Sequence, residues 1–163
     1  MRHRYPLAVI VFAAMVSLSA AAQGTVLQDQ FGTTTSVDPG GGTVSAYVVC
    51  DRRDSADRIA EWMAAIKGQG KSFRAFGVTD LHALPFFIPR SAVISDARRR
   101  YPYTPILLDW TGAFAKALGA PADAVTVLVF GPSGRLAGKI DGEYSPQRLA
   151  GLLALVDAAS NAR

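Results

Sequence analysis

The run Ala124-Val-Thr-Val-Leu-Val-Phe130 constrains this chain more than any other feature, because it favours β-structure and never alternates apolar with polar residues. A strand of that kind is covered on both faces, so the rest of the chain must supply helices for two sides of a sheet. The sequence after it is equally directive. Gly131-Pro-Ser-Gly134 turns the chain, and Arg135 to Ile140 alternates Arg135, Ala137 and Lys139 with Leu136, Gly138 and Ile140, the pattern of a half-exposed hairpin strand. A closing helix is then predicted, with Ser145 as N-cap and Pro146 at its first position. Its apolar stripe is Leu149, Leu152, Leu153 and Val156.

The preceding residues alternate the two periods. Val44 to Cys50 reads as a mostly apolar strand that ends abruptly in charge. From Asp54, a candidate cap, Ala56, Ile59, Ala60, Met63 and Ile66 recur at helical spacing until Gly68 and Gly70. Phe73 to Val78 is a second strand. Ser91 to Arg100 is a helix with Val93, Ile94, Ala97 and Tyr101 inward, stopped by Pro102. Pro105 to Asp109 is a strand, and Gly112 to Leu118 a short helix with Gly119 as a left-handed cap. Ahead of Val44 lies a polar stretch with a turn at Asp38-Pro-Gly-Gly-Gly42. Right-handed crossovers make the early strands parallel and the late hairpin antiparallel. The expected fold class is α/β: three layers, a central mixed sheet with helices on both faces, and a C-terminal antiparallel hairpin followed by a helix.

Residues 1–22 have the form of a secretory signal: Arg2 and Arg4, an apolar stretch from Leu7 to Val16, and Ala20-Ala21-Ala22 as a small-residue cleavage site. The expected organisation is a signal peptide over 1–22 and one domain over 23–163, periplasmic or secreted, with no membrane span after cleavage. Cleavage after Ala22 would remove 22 of 163 residues and two of the 17 Lys and Arg, leaving 15 against 13 Asp and Glu. That near-balance does not point to nucleic acid. Cys50 is the single cysteine, which excludes an intrachain disulfide and a Cys-rich metal cluster, and neither a metal nor a cofactor is expected.

The strand and helix order, with Asp29-Gln30-Phe31-Gly32 ahead of the first sheet strand, resembles the thioredoxin-like superfamily in its redoxin and peroxiredoxin versions. Arg90-Ser91, Arg99-Arg100-Tyr101-Pro102, Leu108-Asp109, Ser133-Gly134-Arg135 and Ser145-Pro146 fall in the order seen in the YtfJ family of small periplasmic proteins. Arg53-Asp54-Ser55-Ala56 also looks like that family's strand-to-helix turn. The resemblance implies a thioredoxin-like fold and an exported protein. It also locates where a dithiol would stand: relatives carry Cys-x-x-Cys at the turn that here reads Arg53-Asp54-Ser55-Ala56, and a cis-proline near what are here Ala124 and Val125. None of these is Cys or Pro, which removes dithiol–disulfide exchange by this chain alone.

Several residues remain as candidates, each with a plain structural alternative. Cys50 and Arg53 are the catalytic candidates: a peroxidatic thiolate works near an arginine at a helix's first turn, with Arg52 and Ser55 also close. Against that, Cys50 precedes the helix by several residues and Asp51 and Asp54 oppose a thiolate, so core packing is the competing assignment. His82 is an acid–base candidate or a loop hydrogen-bonding group. Asp109 and Asp141 form a carboxylate pair only if the fold joins them. Arg98-Arg99-Arg100 either contacts an acidic partner or complements a helix dipole. In Leu84-Pro-Phe-Phe-Ile-Pro89 the two aromatics are expected to pin a loop to the core; exposed, they would be a partner or ligand surface. Trp62 is expected to pack a helix, Trp110 to cover a loop, and Gly40-Gly41-Gly42 to make a turn.

The expected function is therefore a redox-inactive binding or accessory domain of the cell envelope, with an envelope protein or a small thiol as partner. The alternative is a single-cysteine, thiol-dependent peroxidase using Cys50.

Overall fold

The computed structural model describes residues 24–50, 55–120 and 124–162. The expected signal segment and the expected Asp54 cap lie outside those residues. The chain order is β1 (Thr25–Asp29), β2 (Thr34–Val37), β3 (Ser45–Cys50), α1 (Ser55–Lys67), β4 (Arg74–Asp80), α2 (Arg90–Arg100), β5 (Leu107–Asp109), α3 (Ala113–Ala117), β6 (Thr126–Phe130), β7 (Leu136–Asp141) and α4 (Pro146–Asn161). One sheet takes all seven strands in the order β2-β1-β5-β4-β3-β6-β7. β3, β4 and β5 run parallel, while β6 lies antiparallel to β3 and to β7.

β6 is buried along its whole length, as a strand without alternation requires. β3 is likewise buried at every position, and its alternate side chains enter two different cores. Ala46, Val48 and Cys50 join Ile59, Trp62, Leu152 and Val156 under α1 and α4. Tyr47 and Val49 join Phe114, Leu128 and Phe130 on the face that α3 covers. The first core depends on a close approach at Gly77 in β4, where a methyl group would lie 2.3 Å from Ile59 Cγ2. Trp62 is fully buried there and donates from its indole nitrogen to the Gly142 carbonyl at 3.3 Å.

α4 begins as its sequence dictates, with Ser145 Oγ accepting from the Arg148 backbone N–H at 3.2 Å and Pro146 in the first turn. β7 is an edge strand, and Leu136 at its start is 41% exposed. The structure differs from expectation at the front of the sheet. The polar stretch before Val44 forms the β1–β2 hairpin, and β1 also pairs with β5. Asp29 makes this turn: Oδ1 accepts from the backbone N–H of Phe31 at 2.8 Å and of Thr33 at 2.9 Å, and Gly32 takes φ +90°. Thr, Ser and Gln gave this hairpin a polar composition because one of its strands is the sheet edge.

Candidate functional site

The carboxyl ends of β3, β4 and β5 and the first turn of α1 meet at one end of the sheet. Right-handed connections place α1 and α2 on the same face. α1 buries Ser55, Ile59, Trp62 and Ile66, whereas α2 buries only Ala97, with Val93 and Ile94 half-buried rather than fully inward. α2 opens after Pro89 with no side-chain cap. Between α2, the segment 81–88 and the start of α1 lies a half-open cavity of about 550 Å³. Leu84, Ile88, Val93, Ala97, Ile106 and Leu108 make it predominantly apolar, and Ser55, Thr79, Asp57, Asp80, Asp96 and Arg100 add polar atoms.

Gln30 fastens the segment that joins α2 to β5. It is fully buried, donates from Nε2 to the carbonyls of Tyr101 at 3.1 Å and Thr104 at 2.8 Å, and accepts from the Ile106 N–H at 2.8 Å. Arg98 donates to the Gln30 carbonyl, fastening α2 to the same turn. A single glutamine in a polar stretch carries no sequence signal of such a role; only the fold brings residue 30 beside residues 101–106. At the mouth, Tyr101 donates its hydroxyl to Asp57. Burial, and then the Asp57 carboxylate, hold the Tyr101 phenol well above its usual range. Although desolvation opposes it, hydrogen bonds and charge from Arg99 and Arg100 hold Asp96 below the usual carboxylate range.

Cys50 is the last residue of β3 and is 1% exposed. Arg53 lies outside the described residues, as do Arg52, Asp51 and Asp54. Ser55 and Ala56, at the turn where the sequence resemblance would place a dithiol, begin α1, and Ser55 Oγ lies 3.5 Å from Thr79 Oγ1.

The remaining candidates separate cleanly. His82 Nδ1 meets Asp80 Oδ1 at 2.9 Å in the loop after β4. Asp109 and Asp141 are not brought together, because β4, β3 and β6 stand between their strands. Asp109 instead accepts from the N–H groups of Phe114 at 2.8 Å and Ala115 at 3.0 Å, and so opens α3. Asp141 accepts from Thr126 Oγ1 at 3.0 Å and pairs with Lys139. Of the arginine triplet, Arg99 and Arg100 pair with Asp96 on the same helix.

The expectation that Phe86 and Phe87 pin their loop to the core is corrected. They are 99% and 72% exposed and pack edge-to-face on each other, with ring centroids 5.8 Å apart. The flanking prolines hold the loop at the cavity rim, where Pro85 and Ile88 line the interior and leave the phenyl rings outside. Trp110 lies beneath the Arg90 guanidinium, 4.9 Å from its ring centroid.

This arrangement of sheet and helices is a thioredoxin-like fold, and solved structures bear it out. Peroxiredoxin Q of Xanthomonas campestris superposes with a TM-score of 0.63 at 15% identity, over 89% of this chain and 98% of that one. A putative thioredoxin from Neisseria meningitidis gives 0.60 at 18% identity, over 88% and 93%. A secreted disulfide oxidoreductase of Mycobacterium tuberculosis gives 0.60 at 10% identity, over 86% and 99%. At these identities the likeness is one of fold. No protein-family description and no curated protein sequence matches the chain.

Proposed function

We propose that this chain is an exported thioredoxin-like domain, of the YtfJ type, that binds rather than exchanges disulfides, with the cavity beside α1 as its binding site. The observation that carries this reading is the position of that cavity. It opens against Ser55 and Ala56 at the first turn of α1, so an apolar concavity adjoins the place that dithiol relatives use for chemistry. The one cysteine in the sequence supports it, since two thiols are needed to make and break a disulfide within one site. The burial of Cys50 supports it further, because a peroxidatic sulfur must be reached by peroxide. The partner is an envelope protein or a small molecule that enters the cavity.

The test is the stopped-flow rate of Cys50 oxidation by hydrogen peroxide, with Cys50→Ser as blank and free cysteine as reference. A rate at or below that of free cysteine is expected. A rate orders of magnitude faster makes the protein a one-cysteine peroxidase and ends this reading. Export rests on the charged start, apolar stretch and alanine-rich end of residues 1–22. Expressed in a Gram-negative host, the protein should appear in the periplasmic fraction with Gln23 as its first residue; a cytoplasmic product starting at Met1 would refute export.

A further inference from the structure

We propose a second binding site, separate from the cavity beside α2: the groove between the end of α1 and the segment before β5 takes a small apolar carboxylate, with its anionic head at Lys67 and its carbon body against Phe73 and Tyr103. The groove has a volume of about 360 Å³ and shares no lining residue with that cavity. Its size is toward the small end of the roughly 300–1,000 Å³ of ligand sites. The C-terminal end of α1 and residues 67–71 form one wall, residues 103–105 form the other, and Phe73 and Ala75 lie between them. Both walls are fixed by the fold. Gln30 donates to the Thr104 carbonyl at 2.8 Å, and the end of α1 closes on itself, with the Gly68 N–H on the Ala64 carbonyl at 3.2 Å and the Gln69 N–H on the Ile66 carbonyl at 3.0 Å. A ligand therefore meets a groove already formed, without the cost of ordering it.

The chemistry of the groove is one-sided. Met63, Ile66, Phe73, Tyr103 and Pro105 make it apolar, and the charged side chains in its lining are two cations, Lys67 and Lys71, with no carboxylate beside them. Asp157 on α4 takes up Lys71, whose Nζ lies 2.7 Å from both carboxylate oxygens. Lys67 makes no ion pair among the described residues. A cation in a helix's last turn complements its dipole, but the end of α1 does not depend on this one. The carbonyls of Ala64 and Ile66 already accept from the backbone, and that of Ala65 accepts from Gln69 Nε2 at 3.2 Å. Tyr103 is likewise not needed by the fold. It is 90% exposed at the lip of the groove, while Gln30 holds the backbone on either side of it through the carbonyls of Tyr101 and Thr104. An apolar body laid in the groove covers Tyr103 and Met63, and a carboxylate pairs with Lys67 through a charge-assisted hydrogen bond. An amine at the same spot would meet like charge, and a neutral alcohol would gain only the weaker bond.

The test is an NMR titration of the isotope-labelled full chain near neutral pH with three probes of one shape, phenylbutanoate, phenylbutanol and phenylbutylamine, because backbone amide shifts report both affinity and place. The carboxylate should bind about threefold more tightly than the alcohol, the scale of one exposed ion pair, and about tenfold more tightly than the amine. The shifts should cluster on residues 63–75 and 103–105. Lys67→Gln should erase the carboxylate's advantage while leaving the alcohol unchanged. Ala64→Trp, from an exposed helix position in the lining, should weaken all three probes, and Tyr103→Ser, in an exposed loop, should do the same without touching a helix. If the amine binds as tightly as the carboxylate, or Lys67→Gln keeps the preference, the ligand class is wrong. If the shifts cluster on residues 81–97 instead, the probes choose the cavity beside α2 and the groove is not a site. If no probe binds, the inference falls, while the proposed function stands or falls on its own test.

Discussion

The helical layer over β3, β4 and β5 is built in two ways. Over β3, α1 and α4 close on the sheet: Ile59, Trp62 and Leu152 are fully buried, and Gly77 gives up its side chain so that Ile59 can approach. Over β4 and β5, α2 buries Ala97 alone, stands above a cavity of about 550 Å³ and ends a loop with Phe86 exposed to solvent. The first half has the dense packing that holds a fold together. The second leaves space unfilled at the end of the sheet where crossovers converge, which is where the proposed binding site lies. Dense packing and open space are therefore divided between neighbouring helices, and the polar staple at Gln30 keeps the looser half in place.

That division can be broken by substitution. Trp62→Ala should have the largest effect, destabilising the protein by about 3–5 kcal/mol in urea unfolding, because it removes the largest buried side chain of the closed half and leaves a cavity. Gln30→Ala should cost about 2–3 kcal/mol by stranding the buried Ile106 N–H and two carbonyls. Hydrogen exchange should localise the loss to residues 101–106 rather than to α1; protection lost evenly would show that the two halves unfold as one. Phe86→Ser with Phe87→Ser should be the smallest change, within about 0.5 kcal/mol of the wild type in the same unfolding measurement. A larger loss would return these rings to the core.

Much of the fold was legible in the chain because its signals are local. The turn from Val44–Cys50 into a helical stripe, the Ser145-Pro146 start of α4 and the hairpin after Phe130 each occupy neighbouring residues, and each appears where its periodicity places it. The β1–β2 hairpin was not legible. Its polar strands are held by the Asp29 turn and by pairing with β5, a partner nearly eighty residues away. The site followed the same division. The start of α1 at Ser55 was readable from the helical spacing that follows it. Asp80 with His82 over Gly112, and Gln30 behind Ile106, were not.

The sequence by itself determined that helices flank a mixed sheet, that its closing unit is strand, strand, helix, and that one thiol is present, because period, caps and counts reside in adjacent residues. Only the tertiary structure decided that α2 stands off the sheet, that Phe86 and Phe87 face water, and that Asp80 pairs with His82 beside Gly112. Those outcomes depend on how much apolar surface each helix finds opposite it once the strands are ordered, and burial is a property of the assembled layers rather than of any one segment.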